Sequence, residues 1–424
     1  VKNILINQNP HWQGKRYTSV KRDALDKLIS YLPLRQIITI TGIRRCGKST
    51  LAKQAIEYLI SSGVKAENIF FINLEHPKFI DYQDDPSYLG VIFDEYLKLA
   101  NPQGKIYCIF DEIQYFKDWQ VYIKSMYESS DVKFIVTGSN SSMLSNELNT
   151  LLSGRALNIY LKPFSFVEYL RYKEIDISSE MAKISNKIAI ARAKEEYLNW
   201  GGFYEVFSVE DEMVRKEILI NYARNIIYQD IVPRYKIRNA KNIEKLFFYL
   251  IGNVTNMINY TSLSKTFEIS EKSIKEYLNY FEEVFLFFRV DKYHTKPKER
   301  IKSFKKLYCI DNGFLNLSFN KQLNSGIKLE NLVFNILSDR CDLTYLRDVY
   351  EIDFFCNDTL YQVSYKIDDE KIKKRELRAY EHFNKNGKFK NMLITFDANE
   401  RLDGVDVVSF DELFDWQNGR KQKE

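Results

Sequence analysis

Residues 42–50 read Gly42-Ile43-Arg44-Arg45-Cys46-Gly47-Lys48-Ser49-Thr50, two glycines separated by four residues and followed by Lys-Ser. That is the full pattern of a phosphate-cradling loop. Gly42 and Gly47 let the backbone turn so that consecutive N–H groups of the loop face an anion. The same groups open a helix, whose dipole also favours negative charge. In this pattern Lys48 reaches the β- and γ-phosphates, the Ser49 hydroxyl ligates magnesium, and Thr50 meets the α-phosphate. The spacing therefore predicts a site for ATP with Mg2+. Arg44 and Arg45 are further candidates for phosphate or a neighbouring subunit, although side chains at such loop positions usually point outward.

The flanks of the loop agree with this reading. A β-branched run precedes it at residues 36–41 (QIITIT), and a helical pattern follows from Ser49 to Ile60. Further apolar runs at 68–74 (NIFFINL), 106–110 (IYCIF) and 133–137 (KFIVT) alternate with helical stretches, which predicts a parallel α/β sheet covered on both faces. The third run ends in Asp111-Glu112. Asp111 is the expected magnesium partner, and Glu112 the general base that polarises a water; binding alone has no need of it. The run at 133–137 ends in Gly138-Ser139-Asn140, so Thr137, Ser139 and Asn140 are candidate sensors of the γ-phosphate. Arg155, after Gly154, is a candidate arginine finger, in cis or from a neighbouring subunit.

At 424 residues, two or three domains are expected. A hydrophobic content of 45% suits packed domains and argues against long disorder. The net charge of +5 does not by itself point to nucleic acid. No run approaches the roughly 18 apolar residues of a membrane span, and residues 1–30 do not read as a secretory leader. The five cysteines, Cys46, Cys108, Cys309, Cys341 and Cys356, are odd in number and have no zinc spacing, so a reducing cytoplasm is expected.

GIRRCGKSTL (42–51), FDEIQ (110–114), TGSN (137–140), LSGR (152–155) and PFSFVEY (163–169) closely resemble prokaryotic AAA+-like ATPases that carry a C-terminal companion domain of uncharacterised function. The resemblance covers most of the chain and is strongest over residues 35–170. It implies an ASCE-type P-loop ATPase core, then a helical and winged-helix region, then a restriction-endonuclease-like α/β domain. Residues 308–314 (YCIDNGF) and 329–334 (LENLVF) match the stretches that open that last domain. The expected domains are residues 1–165, 166–325 and 326–424.

Restriction-type nucleases hold magnesium with an acid on a first helix, an Asp on one strand and a Glu or Gln on the next, beside a lysine. Glu330, Asp353 and Gln362 fit those places, but Ser364 stands where the lysine belongs, and Lys366 is the candidate substitute. A serine cannot offset developing negative charge as an ammonium does. The expectation is a catalytically degenerate domain that binds a partner or nucleic acid. Upstream, a helix-turn-helix is expected, with residues 273–281, from Ser273 to Phe281, as recognition helix. A basic wing follows, with Lys292, Lys296, Lys298, Arg300, Lys302, Lys305 and Lys306. Such charges suit DNA phosphates, a protein partner or a homo-oligomer contact. The reading is thus an ATPase whose cycle repositions its C-terminal half. The alternatives are a nucleotide-gated switch with negligible turnover, and a Mg-dependent nuclease.

Overall fold

The structure is a computed structural model that describes residues 1–141, 154–319, 324–367, 370–397, 401–402, 404–410 and 412–413. Side chains at 370–372 and 401 are not among those described. The chain forms two compact units, Val1–Phe164 with Glu283–Phe285, and Ser165–Glu282 with Leu286–Glu424.

In the first unit β1 (Ile37–Thr41), β2 (Ile69–Asn73), β3 (Ile106–Asp111), β4 (Val132–Gly138) and β5 (Ala156–Tyr160) form one sheet in the order β2-β3-β4-β1-β5. Every neighbouring pair is parallel. Helices cover such a sheet on both faces, which is why β1 and β4 are buried along their whole length. Phe70, Phe93, Tyr96, Phe110 and Phe134 form much of one core, with the Phe70 and Tyr96 rings stacked at 4.7 Å. The outer edge of β2 is closed by side chains of the N-terminal segment. Asn9 exchanges two hydrogen bonds with the Phe71 backbone, and Trp12 donates to the Ile69 carbonyl at 2.9 Å. Those bonds satisfy an edge that would otherwise template association.

The order of the strands decides the site. β4 lies between the strand that precedes the phosphate loop and the strand that ends in Asp111, so the polar residues at the end of β4 stand between loop and acids.

The second unit opens with a capping box. Ser165 accepts from the Glu168 N–H, and the Glu168 carboxylate returns the bond, starting the helix Phe166–Tyr172. More helices follow, among them Lys187–Trp200, Glu212–Asn225 and Ala240–Ile251. Next come Tyr260–Phe267 and Glu271–Glu283, joined through Glu268 in left-handed backbone. Eight strands then form a mixed sheet: β6 (Phe287–Lys292), β7 (Lys305–Cys309), β8 (Thr344–Arg347), β9 (Glu351–Cys356), β10 (Thr359–Val363), β11 (Lys390–Thr395), β12 (Arg401–Leu402) and β13 (Val405–Ser409). Their order is β12-β13-β11-β10-β9-β8-β6-β7. This sheet begins well before residue 326, where the last domain was expected to start, because β6 pairs in parallel with β8. The segment between β6 and β7 is not a bare wing, since it contains the helix Pro297–Lys302.

Two further features depart from the sequence reading. Cys341 and Cys356 form a disulfide, while Cys46, Cys108 and Cys309 are free and buried. An odd cysteine count therefore concealed one pair, brought to a Cα separation of 6.3 Å by residues just after the helix Ser325–Leu337 and at the end of β9. Asp311 joins the helical part to β7. Its two oxygens accept the Gly202 and Gly313 N–H groups at 2.7 and 2.8 Å. A Cβ at Gly201 (φ +72°) would lie 1.9 Å from Asp311 Oδ1, so only glycine allows this approach. Among the described residues, no helix is long and apolar enough to cross a membrane.

Candidate nucleotide site

The phosphate loop leaves the end of β1 and enters the helix Lys48–Ser61, whose N-cap Gly47 has φ +98°. As the N-cap is a glycine, no N-cap side chain competes with a ligand for the first-turn N–H groups. A Cβ at Gly42 would fall 2.0 Å from the Leu161 carbonyl oxygen, and one at Gly47 would fall 2.8 Å from Arg22 Nη1. Both glycines are thus fixed by close approach as well as by turn geometry. Ile43 and Cys46 are buried, and burial pushes the Cys46 thiol up. Thr50 is half-buried in the first turn.

The acidic pair meets the loop across β4. Ser49 Oγ donates to the Asp111 carboxylate, 2.9 Å from Oδ1 and 2.8 Å from Oδ2. Thr137 Oγ1 donates to Asp111 Oδ1 at 2.7 Å and accepts from the Glu112 N–H at 3.0 Å. Asn73, at the end of β2, donates to Asp111 Oδ2 at 2.9 Å. Lys48 Nζ lies 3.4 Å from Glu112 Oε1 and donates to the Ile43 carbonyl at 3.3 Å.

The two acids are shifted in opposite directions. Burial, then the neighbouring Glu112, push Asp111 up, against the Thr137 and Ser49 hydroxyls. Burial also works against an ionised Glu112, but Lys48, Gln114 and Arg44 together outweigh it and hold that carboxyl below its ordinary range. Glu112 sits in left-handed backbone, at φ 55° and ψ 48°. For a residue with a side chain that costs of order 1 kcal/mol, so the surroundings hold it there.

Of the three candidates at the end of β4, Thr137 reaches the acids directly. Ser139 reaches Glu112 through Gln114, whose Nε2 donates to Glu112 Oε2 at 2.5 Å and to Ser139 Oγ at 3.1 Å. Asn140 is buried. Arg44 turns inward: it pairs with Glu75 just past β2 and donates to the Tyr115 hydroxyl at 3.3 Å. Arg45 is exposed.

Arg155 does not come to this site. Its carbonyl accepts from the Ile37 N–H, at the start of β1, and its guanidinium pairs with Glu128 at 2.5 Å. The phosphate loop leaves the other end of β1, roughly 13 Å farther along the strand at the usual rise per residue. A role for Arg155 at its own chain's site is therefore corrected by distance. The neighbouring Leu152 and Ser153 lie outside the described residues.

Arg22 carries no motif, and the sequence reading passes over it. Its buried guanidinium donates to the Cys46 carbonyl inside the loop at 2.5 Å and to the Lys162 carbonyl at 2.7 Å, and lies over the Phe164 ring. Gln54, on the loop's own helix, accepts the Arg22 N–H at 3.1 Å. The loop is thereby tied to the segment that follows β5, where Leu161 N–H also donates to the Thr41 carbonyl at 2.7 Å. Asn73 and Gln114 were missed as well. Asn73 stands in register with Asp111 on the adjacent strand, a signal visible once the strands are paired.

In the second unit Glu330, Glu351 and Asp353 gather around one ammonium, but it belongs to Lys306. Lys366, the expected substitute, is exposed, and Ser364 is buried and donates to the Lys366 carbonyl. Burial, then Glu330, push Asp353 up to about 7 against the pull of Lys306. Gln362 accepts the Asp353 N–H and donates to Glu376. Three cations of the expected basic wing are paired within the chain: Arg300 meets Asp291 and Asp342, Lys305 meets Asp291, and Lys306 is buried among Glu330, Glu351 and Asp353. Lys296, Lys298 and Lys302 remain exposed. On the helix Glu271–Glu283, Ile274, Leu278 and Phe281 are buried, while Lys272, Lys275 and Asn279 are exposed.

A parallel β2-β3-β4-β1-β5 sheet with this loop after β1 and this acidic pair after β3 defines a P-loop nucleotide-binding protein. The family model described as an AAA domain matches residues 34–170, and one described as a domain of unknown function matches residues 192–324. The chain belongs to one family with an uncharacterized protein of Haemophilus influenzae, 31% identical over an alignment of 411 residues that covers 93% of this chain and 98% of that one. An uncharacterized protein of Methanocaldococcus jannaschii is 33% identical over 416 residues, 94% of this chain and 89% of its own. Among solved structures, the Aeropyrum pernix ORC1 protein in complex with DNA superposes with a TM-score of 0.33 at 11% identity, over 71% of this chain and 92% of that one.

Proposed function

We propose that the chain binds ATP with Mg2+ at the phosphate loop and hydrolyses it. The observation that carries this reading is the placement of Glu112. It is an ionised carboxylate in constrained backbone, within 3.4 Å of Lys48 and aligned by Thr137 and Gln114. Binding alone does not require it. Ser49 and Asp111 offer hard oxygen donors side by side, the chemistry magnesium prefers, and they are the residues that would hold it. When bound, Mg2+ neutralises charge on the phosphate oxygens.

The chain's own residues account for the rest. Loop N–H groups and Lys48 bind the β- and γ-phosphates, and Thr137, Gln114 and Ser139 orient the acids. A water attacks the γ-phosphorus and Glu112 takes its proton; the β–γ bridging P–O bond breaks, giving ADP and phosphate. A carboxylate held below its ordinary range is a weak base. Its contribution is to orient the water, which suits a loose phosphoryl-transfer transition state.

The test is Glu112→Gln. Nucleotide binding stays within about twofold while phosphate release falls by roughly 100-fold or more. Equal, very slow turnover by wild type and variant would replace hydrolysis with the second reading, a nucleotide-gated switch. That reading has its own support, because Arg155 stands at the far end of the sheet from its own loop. Under either reading, the cycle acts on the second unit. There the tandem helices Tyr260–Phe267 and Glu271–Glu283 with β6 and β7 support a winged-helix region, and the helix-β8-β9-β10-helix-β11 order supports a restriction-endonuclease-like domain. The DNA or protein contact belongs to the exposed Lys272, Lys275, Lys296, Lys298 and Lys302. ATPase rates with and without duplex DNA decide between the two partners: stimulation supports DNA, and an unchanged rate supports protein.

A further inference from the structure

We infer that the acidic pocket of the second unit is a cation site filled from within the chain: Lys306 holds the place a divalent metal would take, so the wild-type domain binds no metal there. This does not depend on the ATP reading, because the pocket and its lysine lie within the second unit.

The geometry is that of a coordinated cation. Lys306 Nζ is 2.7 Å from Glu351 Oε1, 3.0 Å from Glu330 Oε1 and 3.3 Å from Asp353 Oδ1, three acceptors for three ammonium protons. Lys306 is 3% exposed. It arrives on β7, whereas Glu330 comes from the helix Ser325–Leu337 and both other acids from β9. Tyr308, on the same face of β7, donates to Glu330 Oε1 at 2.8 Å.

Three of the remaining donors are committed elsewhere. Asp353 Oδ2 accepts the Val363 N–H at 2.9 Å, and Glu351 Oε2 pairs with Arg347 at 3.0 Å. The Gln362 carbonyl oxygen accepts the Asp353 N–H at 2.9 Å, and its amide donates to Glu376 at 2.7 Å. Gln362, expected to complete a metal set, therefore supports the Asp353 backbone instead. A metal needs several oxygens at about 2.0–2.6 Å, and the oxygens that converge here converge on Nζ. An ion using them requires the ammonium to leave. Among the described residues, no group of three or more His, Cys, Asp and Glu, this pocket included, is placed to hold a metal. The lysine also acts as a keystone. It joins the β6-β7 hairpin to the helix and β9, so the cation is part of the fold rather than a visitor to it.

The experiment compares the nucleotide-free full chain with Lys306→Met, with and without Mn2+. Removing the ammonium leaves buried carboxylates facing one another, and Tm falls by roughly 10 °C. Millimolar Mn2+ then restores about half of that loss in the variant and shifts wild type by less than about 1 °C. A folded variant that gains no Mn2+ response overturns the inference. If Lys306→Met does not fold, a Mn2+ titration of wild type against Asp353→Asn, followed by electron paramagnetic resonance, decides. Equal titrations support a filled site. Wild-type binding that Asp353→Asn abolishes overturns it, as does Mn2+-dependent plasmid cleavage that Asp353→Asn abolishes.

Discussion

Each unit buries a lysine beside acids, and the two lysines are held in opposite ways. Lys48 lies 3.4 Å from one Glu112 oxygen and 3.3 Å from the Ile43 carbonyl, both long for charge-assisted hydrogen bonds, at the mouth of a loop of outward N–H groups. Lys306 is gripped by three carboxylates from two elements, two of them at 2.7 and 3.0 Å. Both are 3% exposed, so burial does not separate them. What separates them is where each stands: Lys48 opens the helix that follows the phosphate loop, whereas Lys306 lies among three carboxylates from the helix Ser325–Leu337 and β9 and is part of the framework.

The contrast predicts a double dissociation, with the largest effect at the loop. Lys48→Met lowers ATP turnover by roughly 100- to 1,000-fold, the scale of losing one preorganised charge at a developing anion. Its Tm without nucleotide changes by no more than about 2 °C. Lys306→Met should do the reverse, lowering Tm while leaving the affinity for a fluorescent ATP analogue within about twofold. A Lys48 variant as unstable as the Lys306 variant would make both lysines structural, and the comparison would fail.

The loop and its acids were legible in the sequence because they are local. Residues 42–50 are contiguous, and Asp111-Glu112 directly closes an apolar run. Thr137 was one of three candidates, and only the order β3-β4-β1 singles it out. The strands after residue 325 were also legible, since the runs at 343–347 (LTYLR), 351–355 (EIDFF), 360–365 (LYQVSY) and 391–395 (NMLIT) fall within two residues of β8 to β11. Lys306 was not, because in sequence it is one more cation in a basic run. Reading KKLYC as a strand would have put Lys306 and Tyr308 on one face, but which acids that face meets, from 24 to 47 residues downstream, is a matter of tertiary structure. Arg22 left no local trace at all. Its partners are carbonyl oxygens, which carry no residue type to recognise.

A smaller effect is expected at Arg22, which tightens the contrast by asking what keeps the Lys48 loop open. Its guanidinium holds the Cys46 and Lys162 carbonyls together, so it positions the loop without being placed against phosphate. Arg22→Met weakens nucleotide binding about 10-fold, one lost charged hydrogen bond's worth. Arg22→Lys, which keeps a charge but not the fork, recovers only part of it. The KM for ATP should rise more than kcat falls. A fall in kcat at constant KM would place Arg22 at the chemical step instead and contradict a positioning role.

The smallest effect tests a buried acid held by backbone N–H groups rather than by a lysine. Burial pushes Asp311 up to about 7, against the Gly202 and Gly313 N–H bonds. Its folded pKa thus lies above the ordinary value of 3.8, so the fold favours the protonated acid. That contribution is complete below about pH 4 and is lost as pH rises through about 7. Asp311→Asn cannot titrate, and its amide can accept only one of the two N–H bonds, so it is less stable than wild type throughout. The gap in Tm between wild type and Asp311→Asn should narrow from about pH 5 to about pH 7.5, because only wild type loses stability on ionising. A gap that stays constant over that range would mean the two N–H groups alone keep Asp311 charged in the fold. Backbone dipoles would then stabilise a buried carboxylate as well as the ammonium of Lys306 does.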